Sequence, residues 1–391
     1  MKNSINDVLE FVKEEDVKFI RLAFCDVNGK LHNASIMPSE LENAFNSGVS
    51  FDASAVGFKD VEKSDLFLFP DPDTLTLLPW RPSHGRVIRL FCDIKYPDGT
   101  PFELDSRKIL KNAIESAKKE GICCNIGVEF EFYLFKLDEN GEKTFIPCDN
   151  ASYMSVAPDD KGENIRREIC LNIEEMGLSP ECSHHEEGPG QNEIDFKYSD
   201  ALSSADHAVI FKNATEIIAN KYGFWATFAP KPLQNESGSG MHMNISLSQD
   251  DDAFDYFIGG VISKIKDITY FLNTTEMSYE RLGEKKAPNV IGVGDSNRST
   301  LIRIPASKSG KRFELRSPDG ESNIYLAYAL VIYAGLEGIK NKIKPPKKIT
   351  ENVYTSNKKY DILPKTLNEA KEIAKNSEFI KRYIDSKFIK E

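Results

Sequence analysis

No C-x-x-C pair occurs among the seven cysteines, which are scattered at 25, 92, 123, 124, 148, 170 and 182. Their odd number and spacing argue against a disulfide framework and for a reducing compartment, so the expected location is cytoplasmic. An excess of positive charge is missing as well. Lys and Arg number 50 against 61 Asp and Glu, a net charge of −11 that excludes general nucleic-acid binding. Long apolar runs are lacking. The most apolar stretch, 324–336, is interrupted by Glu337 and is too short to span a bilayer, so no membrane partner is expected. The opening Met1-Lys-Asn-Ser-Ile-Asn-Asp7 has no apolar signal core. Ser307-Lys-Ser-Gly-Lys311 lacks the G-x-x-x-x-G-K-[ST] spacing of a phosphate loop and reads as a surface turn. Internal repeats and low-complexity tracts are absent.

What is present suits a globular chain with two cores. Its 391 residues are 40% hydrophobic, enough for two domains. Residues 1–103 read as β-rich, with strands at 18–24 and 87–91 and turns at Asp26-Val-Asn-Gly29 and Pro97-Asp-Gly99. A helix N-capped by Asp105 or Ser106 and stopped by Gly121 opens the second domain, 104–391. Further helices are expected at 162–176, 201–221, 255–272, 323–342 and 367–390. Strands with polar motifs lie between helices, an α+β pattern.

Those strands carry the chemistry. In 126–135, Glu129 and Glu131 share one face while Val128, Phe130, Phe132 and Leu134 point to the other. Taken alone, two acids on a strand face describe a solvated surface. Three later runs repeat the pattern. Glu193, Asp195 and Lys197 alternate with Ile194, Phe196 and Tyr198; His242, Asn244 and Ser246 with Met243, Ile245 and Leu247; Arg312, Glu314 and Arg316 with Phe313 and Leu315. If the runs share a sheet, their polar faces line one cleft of carboxylates, imidazole and arginines. That donor set suits hard divalent ions such as Mg²⁺ or Mn²⁺, with arginines for a phosphate or carboxylate substrate. In His184-His185-Glu186, neighbouring side chains of an extended chain face opposite ways, so one histidine orients a neighbour while Glu186 ligates.

The segments Phe51-Asp-Ala-Ser54, Asp71-Pro-Asp-Thr74, Glu129-Phe-Glu131, Ser183-His-His-Glu186, Pro189-Gly-Gln-Asn-Glu-Ile-Asp195, Gly238-Ser-Gly-Met-His242, Asn297-Arg-Ser299, Ile302-Arg-Ile-Pro-Ala306 and Phe313-Glu-Leu-Arg-Ser-Pro-Asp319 occur in that order. In this the chain resembles the glutamine synthetases over nearly its whole length. The resemblance implies an N-terminal β-grasp domain and a catalytic domain with an antiparallel, metal-lined sheet and surrounding helices. It also implies a homo-oligomeric ring, hexamer or dodecamer, with each active site at a subunit interface. The chain ends at Phe388-Ile-Lys-Glu391, short of the segment that laces two rings in large bacterial members, which favours a single ring.

By resemblance, Glu131, Glu186 and Glu193 hold one ion and Glu129, His242 and Glu314 the other. Arg298, Arg303 and Arg312 handle phosphates. Arg281, Arg316 and Gly238 contact the amino-acid substrate, Ser246 contacts nucleotide, and Asp52 and Glu186 serve the amine. The implied reaction uses ATP to activate the γ-carboxylate of glutamate as an acyl phosphate, which ammonia or another amine converts to an amide.

The departures fall on the amine side. The flap motif Arg-Leu-Val-Pro-Gly-x-Glu-Ala-Pro appears here as Arg281-Leu-Gly-Glu-Lys-Lys-Ala-Pro288, one residue shorter, with Lys286 at the position of the catalytic glutamate. Glu284 is the nearby acid, and Tyr153 and Glu186 remain on the amine side, while a family serine is Ala55. Either the nucleophile pocket is rebuilt for another amine, or the chain is a catalytically impaired binding or regulatory homologue. A third reading has Lys286 swing to solvent while Glu284 substitutes.

Overall fold

The structure, a computed structural model, describes residues 3–81, 84–248, 251–307 and 310–390. The turn expected at 307–311 therefore lies partly outside the described residues. Two sheets organise the chain. In the first, strands run in the order Leu31–Ile36, Val17–Cys25, Arg86–Lys95, Asp65–Pro70, Val49–Asp52, with Thr76–Leu77 beside Arg86–Lys95. Val17–Cys25 and Arg86–Lys95 are parallel; the others pair antiparallel.

The β-rich reading of the first hundred residues overlooked two helices. Ile5–Glu14 starts at a reciprocal capping box between Ser4 and Asp7. Leu41–Ser47 stops at Gly48, whose φ of 73° suits a residue without a Cβ. Helix Glu276–Arg281 was missed too, although Thr275 and Ser278 form a capping box.

The second sheet is built around one long strand, Cys124–Leu137. On one side lie Met241–Leu247, Phe313–Leu315, Ile302–Ile304 and Val293–Asp295; on the other lie Gln191–Phe196 and Pro180–His185. The sheet is not wholly antiparallel, because Val293–Asp295 and Ile302–Ile304 run parallel at its edge. Alternation puts Phe130 and Phe132 on the back face against Phe211 and Phe228, with ring centroids 5.3 Å apart for Phe130–Phe211 and 5.6 Å for Phe132–Phe228. The alternation expected through Tyr198 ends at Phe196: Lys197 and Tyr198 are exposed past the strand.

Helices Ser106–Lys119, Glu163–Glu175, Ala201–Lys221, Asp251–Leu272 and Ile324–Lys340 surround this sheet. Asp105 caps the first by accepting from the Arg107 and Lys108 amides. Ile324–Lys340 continues through Glu337, whose carboxylate reaches Arg382 and Lys264 at the periphery. Among the described residues no helix is long and apolar enough to cross a membrane. The single terminal helix expected over 367–390 is instead Leu367–Asn376 and Glu378–Tyr383. Ser377 ends the first, and its hydroxyl accepts from the Ile380 amide to begin the second.

A buried ionic clasp joins the two sheets' layers. Arg107, 4% exposed, donates to Asp206 from Nε at 2.9 Å and Nη2 at 2.8 Å, and from Nη1 to Asp71 at 3.0 Å and Asp93 at 3.2 Å. Burial opposes its charge, but Asp206 and the neighbouring acids hold the guanidinium protonated. Tyr325 adds a hydrogen bond to Asp206 at 2.7 Å. Arg107→Leu strips the buried Asp206 of its cation, leaving Asp71 and Asp93 to Lys111, and is expected to lower stability by about 3–5 kcal/mol in urea unfolding. A loss under about 1 kcal/mol would show the clasp to be dispensable.

Candidate active site

Strand register, rather than sequence proximity, assembles the site. Glu129 lies directly across from His242 on one neighbour and Asp195 on the other. Glu131 faces Glu193, and Glu314 faces Asn244 and Arg303. Directly paired residues project to the same face, so one register aligns all these groups. All of them except Asn244 and the fully buried Glu314 line a cleft of about 460 Å³, together with Tyr153, His184, Glu186, Arg281, Lys286, Arg298, Arg312 and Arg316.

Two compact donor groups occupy its floor. In the first, His242 Nδ1 lies 3.4 Å from Glu129 and 3.5 Å from Glu314. Asn244 donates to Glu129 at 2.8 Å and accepts from Arg312 Nε at 3.1 Å, bridging the floor to the arginine wall. Burial pushes the Glu129 carboxyl up, but hydrogen bonding and charge from His242, then Asn244, hold it at about 2. Glu314 is fully buried between Arg303, at 2.7 Å, and Arg316.

In the second group, His184 Nε2 lies 3.1 Å from Glu186 and 3.8 Å from Glu193. The resemblance names Glu131 with Glu186 and Glu193 for this ion. Glu131 faces Glu193 in register and stays in the cleft lining; one carboxylate oxygen accepts from the Gly240 amide at 2.8 Å and the other lies 3.9 Å from His242 Nε2. The tightest grouping on this side is His184, Glu186 and Glu193.

A third gathering, Glu129, Glu193 and Asp195, adds an acid that the resemblance did not single out. Burial, then the neighbouring carboxylates, pushes Asp195 up to about 8 and Glu193 well above the usual carboxylate range. So many acids in one space cannot all ionise without a cation, whereas oxygen donors with one or two imidazoles fit a hard divalent ion.

His185 points the opposite way from His184 and is fully buried. Its Nδ1 bonds the Glu186 carbonyl at 2.7 Å and its Nε2 bonds Asp149 at 2.9 Å. Both partners only accept, so both ring nitrogens carry protons. Burial alone would depress this pKa, but Asp149 and the Glu186 carbonyl raise it. Asp149 also accepts from the Gly190 amide at 3.0 Å and the Lys161 amide at 2.9 Å, fixing the turn that carries Glu186.

Part of the arginine wall is buried and tied to backbone. Arg281, 2% exposed, donates to the Ser317 carbonyl at 2.8 Å and the Arg316 carbonyl at 3.2 Å. Nε of Arg281, Arg303 and Arg316 is buried without a partner among the described residues. A Cβ at Gly238 would sit 2.5 Å from the Pro230 carbonyl oxygen and 2.7 Å from Arg281 Cγ, so glycine lets the backbone approach that stem.

The flap holds the main surprises. Glu284 does not line the cleft; it pairs with Lys231 at 3.2 Å, which removes the substitute proposed for the missing glutamate. Lys286 is largely exposed, and its ammonium ion-pairs with Glu187 at the cleft mouth. Nothing in the sequence marked Glu187, since this pairing spans 99 residues. Asn244 and Gln191 were legible only as polar-face or turn residues; Gln191 donates to the Gly238 carbonyl at 3.1 Å. Three expected residues lie outside the cleft lining, the buried Glu314 just beneath its floor and two others further off. Ser246 sits further along its strand opposite Asn125, and Asp52 ends a strand of the first sheet, bonded to the Ser54 amide at 2.9 Å.

Comparison with known proteins places these features in a family. The description "glutamine synthetase, catalytic domain" matches residues 103–391, and "glutamine synthetase, beta-grasp domain" matches 16–97. A glutamine synthetase of Methanosarcina mazei is 45% identical over 96% of this chain and 89% of its own length. That of Clostridium saccharobutylicum is 43% identical over 97% and 91%. The solved structure of a GmaS/ADP complex superposes with a TM-score of 0.89 at 27% identity, covering 98% of this chain and 93% of its own.

Proposed function

The chain belongs to the glutamine synthetase family, and from that premise we propose that it is an ATP-dependent carboxylate–amine ligase acting on glutamate. The observation that carries this reading is the convergence of the carboxylate–imidazole floor and the arginine wall in one cleft. A carboxylate is a poor electrophile because an amine cannot expel oxide. Transfer of the ATP γ-phosphoryl group to the glutamate γ-carboxylate gives an acyl phosphate, whose leaving group is phosphate.

Glu129, His242 and Glu314 would hold one Mg²⁺ or Mn²⁺, and Glu186 and Glu193, with His184 or Glu131, a second. Such ions supply charge neutralisation on the phosphates. Arg298, Arg303 and Arg312 would position the phosphoryl oxygens. Arg281 and Arg316 would clamp the substrate α-carboxylate in the bidentate manner guanidinium favours, beside the Gly238 backbone. Glu186 would accept the proton that the amine loses. Ser246 would meet the nucleotide. Asp52 is remote from the cleft of its own chain, so a homo-oligomeric ring, hexameric or dodecameric, would bring it in from a neighbour. While Lys286 stays at the cleft mouth it disfavours ammonium there, since a fixed cation opposes bringing a second one alongside, and a different amine has to displace it.

Hydroxylamine traps acyl phosphates as hydroxamates. Glutamate, ATP and Mg²⁺ are expected to yield γ-glutamyl hydroxamate, and a screen of amines read by phosphate release and product mass would identify the natural nucleophile. No divalent-ion-dependent ADP release with glutamate and any amine would overturn the ligase reading in favour of a binding or regulatory role.

A further inference from the structure

The ε-ammonium of Lys286 is held by two groups at the mouth of the cleft. It ion-pairs with Glu187 and lies 5.8 Å from the centre of the Tyr153 ring. Both partners are themselves fixed. Glu187 accepts from the Ser237 hydroxyl at 3.3 Å, and its amide donates to Glu186 at 3.0 Å. Tyr153 meets His184 edge to face at 5.3 Å, beside the second donor group. A carboxylate on one side and an aromatic face on the other make a receptor for an alkylammonium ion.

The backbone that delivers Lys286 is in a conformation that side-chain-bearing residues avoid: φ is 37° at Lys285 and 68° at Lys286. Ties on the cleft wall hold it there. Arg316 donates to the Lys286 carbonyl at 3.1 Å, and the Lys285 ammonium reaches the Asn235 carbonyl.

We propose that the Tyr153–Glu187 corner is the amine site, that it takes a primary ammonium carried on an alkyl chain, and that Lys286 fills it as a tethered competitor until substrate displaces it. This deepens the ligase reading and rests on it for the identity of the reaction. The corner already accommodates the aminobutyl tail of a lysine, and it opens to solvent, with Tyr153 48% exposed and the Lys286 side chain 57% exposed. A longer alkyl chain therefore has a way out. A tethered group competes at an effective concentration in the millimolar range, so free amine must reach that range to displace it. Glu187 lies next to Glu186, so an amine seated there stands beside the group assigned to take its proton.

The test uses the assembled enzyme with Lys286→Met, which keeps the stem and removes the charge, and Lys286→Arg, which keeps the cation. Initial rates are measured with glutamate, MgATP and either ammonium or n-propylammonium. Lys286→Met is expected to lower the KM for n-propylammonium about tenfold while changing the KM for glutamate less than twofold. Lys286→Arg, which keeps a tethered cation, should keep the n-propylammonium KM well above that of Lys286→Met, and adding Glu187→Gln to Lys286→Met should raise the amine KM again. An n-propylammonium KM that is unchanged or raised in Lys286→Met overturns the proposal. Saturation-transfer NMR of n-propylammonium with the Mg·ADP-loaded enzyme separates this from failure of the ligase reading, because it needs no turnover. Tighter binding to Lys286→Met without ligation would retain the tethered competitor and discard the ligase. Ligation with equal binding to both proteins would do the reverse.

Discussion

Glu314→Gln is expected to reduce divalent-ion-dependent phosphate release by about 10²–10³-fold and to destabilise the protein by about 3–5 kcal/mol. Glu314 is fully buried, with Arg303 at 2.7 Å, Arg316 in contact and His242 at 3.5 Å. Glutamine preserves the shape but removes the negative charge that two buried guanidinium groups share, and it turns an NH₂ donor towards other donors. The floor also loses one of the oxygens assigned to hold an ion. Phosphate release reads the first effect and urea unfolding of the ion-free protein reads the second. Activity within tenfold of wild type would remove Glu314 from the ion-holding group. Unchanged stability would mean that Arg303 and Arg316 find other partners.

Ion removal should make stability depend on pH. Asp195 is pushed up to about 8 when no ion is bound, against about 3.9 for an unfolded aspartate. Glu193 is raised in the same direction by burial and the surrounding acids. The folded state therefore binds more protons than the unfolded state between these values. Stability is fully present at the acid end and falls as pH rises from about 4 to about 8. A divalent ion takes the place of those protons, so binding at pH 7 releases them and cancels the fall. The melting temperature of the chelator-treated protein should drop by several degrees between pH 5.5 and pH 8, and Mg²⁺ should restore most of it. Proton release on adding Mg²⁺ in weakly buffered solution is the companion measurement. Identical pH slopes with and without Mg²⁺, and no proton release, would show that the acid cluster is not an ion site.

Much of the fold was legible because its signals are local. Period-2 alternation placed Glu129 and Glu131 on one face and Phe130 and Phe132 on the other, and the structure keeps that division. Asp105 announced its helix because a cap needs only the next few amides. The same local chemistry was present but overlooked in the capping boxes at Ser4 and Thr275. At Ser377 a residue that reads as one more polar helix position instead separates two helices.

The sequence by itself determined the inventory: the acids, histidines and arginines, their alternation on strands, and the lysine in the flap. These follow from backbone periodicity and side-chain chemistry, which act over a few residues. Only the tertiary structure decided the partnerships. Register set Glu129 between His242 and Asp195, the backbone amide of Gly240 bound Glu131, His184 came beside Glu186, and Glu187 became the counter-ion of Lys286. The physical reason is that these pairings join distant segments. They depend on strand register and on where buried charge finds its nearest compensation, and neither is encoded in any short stretch of chain.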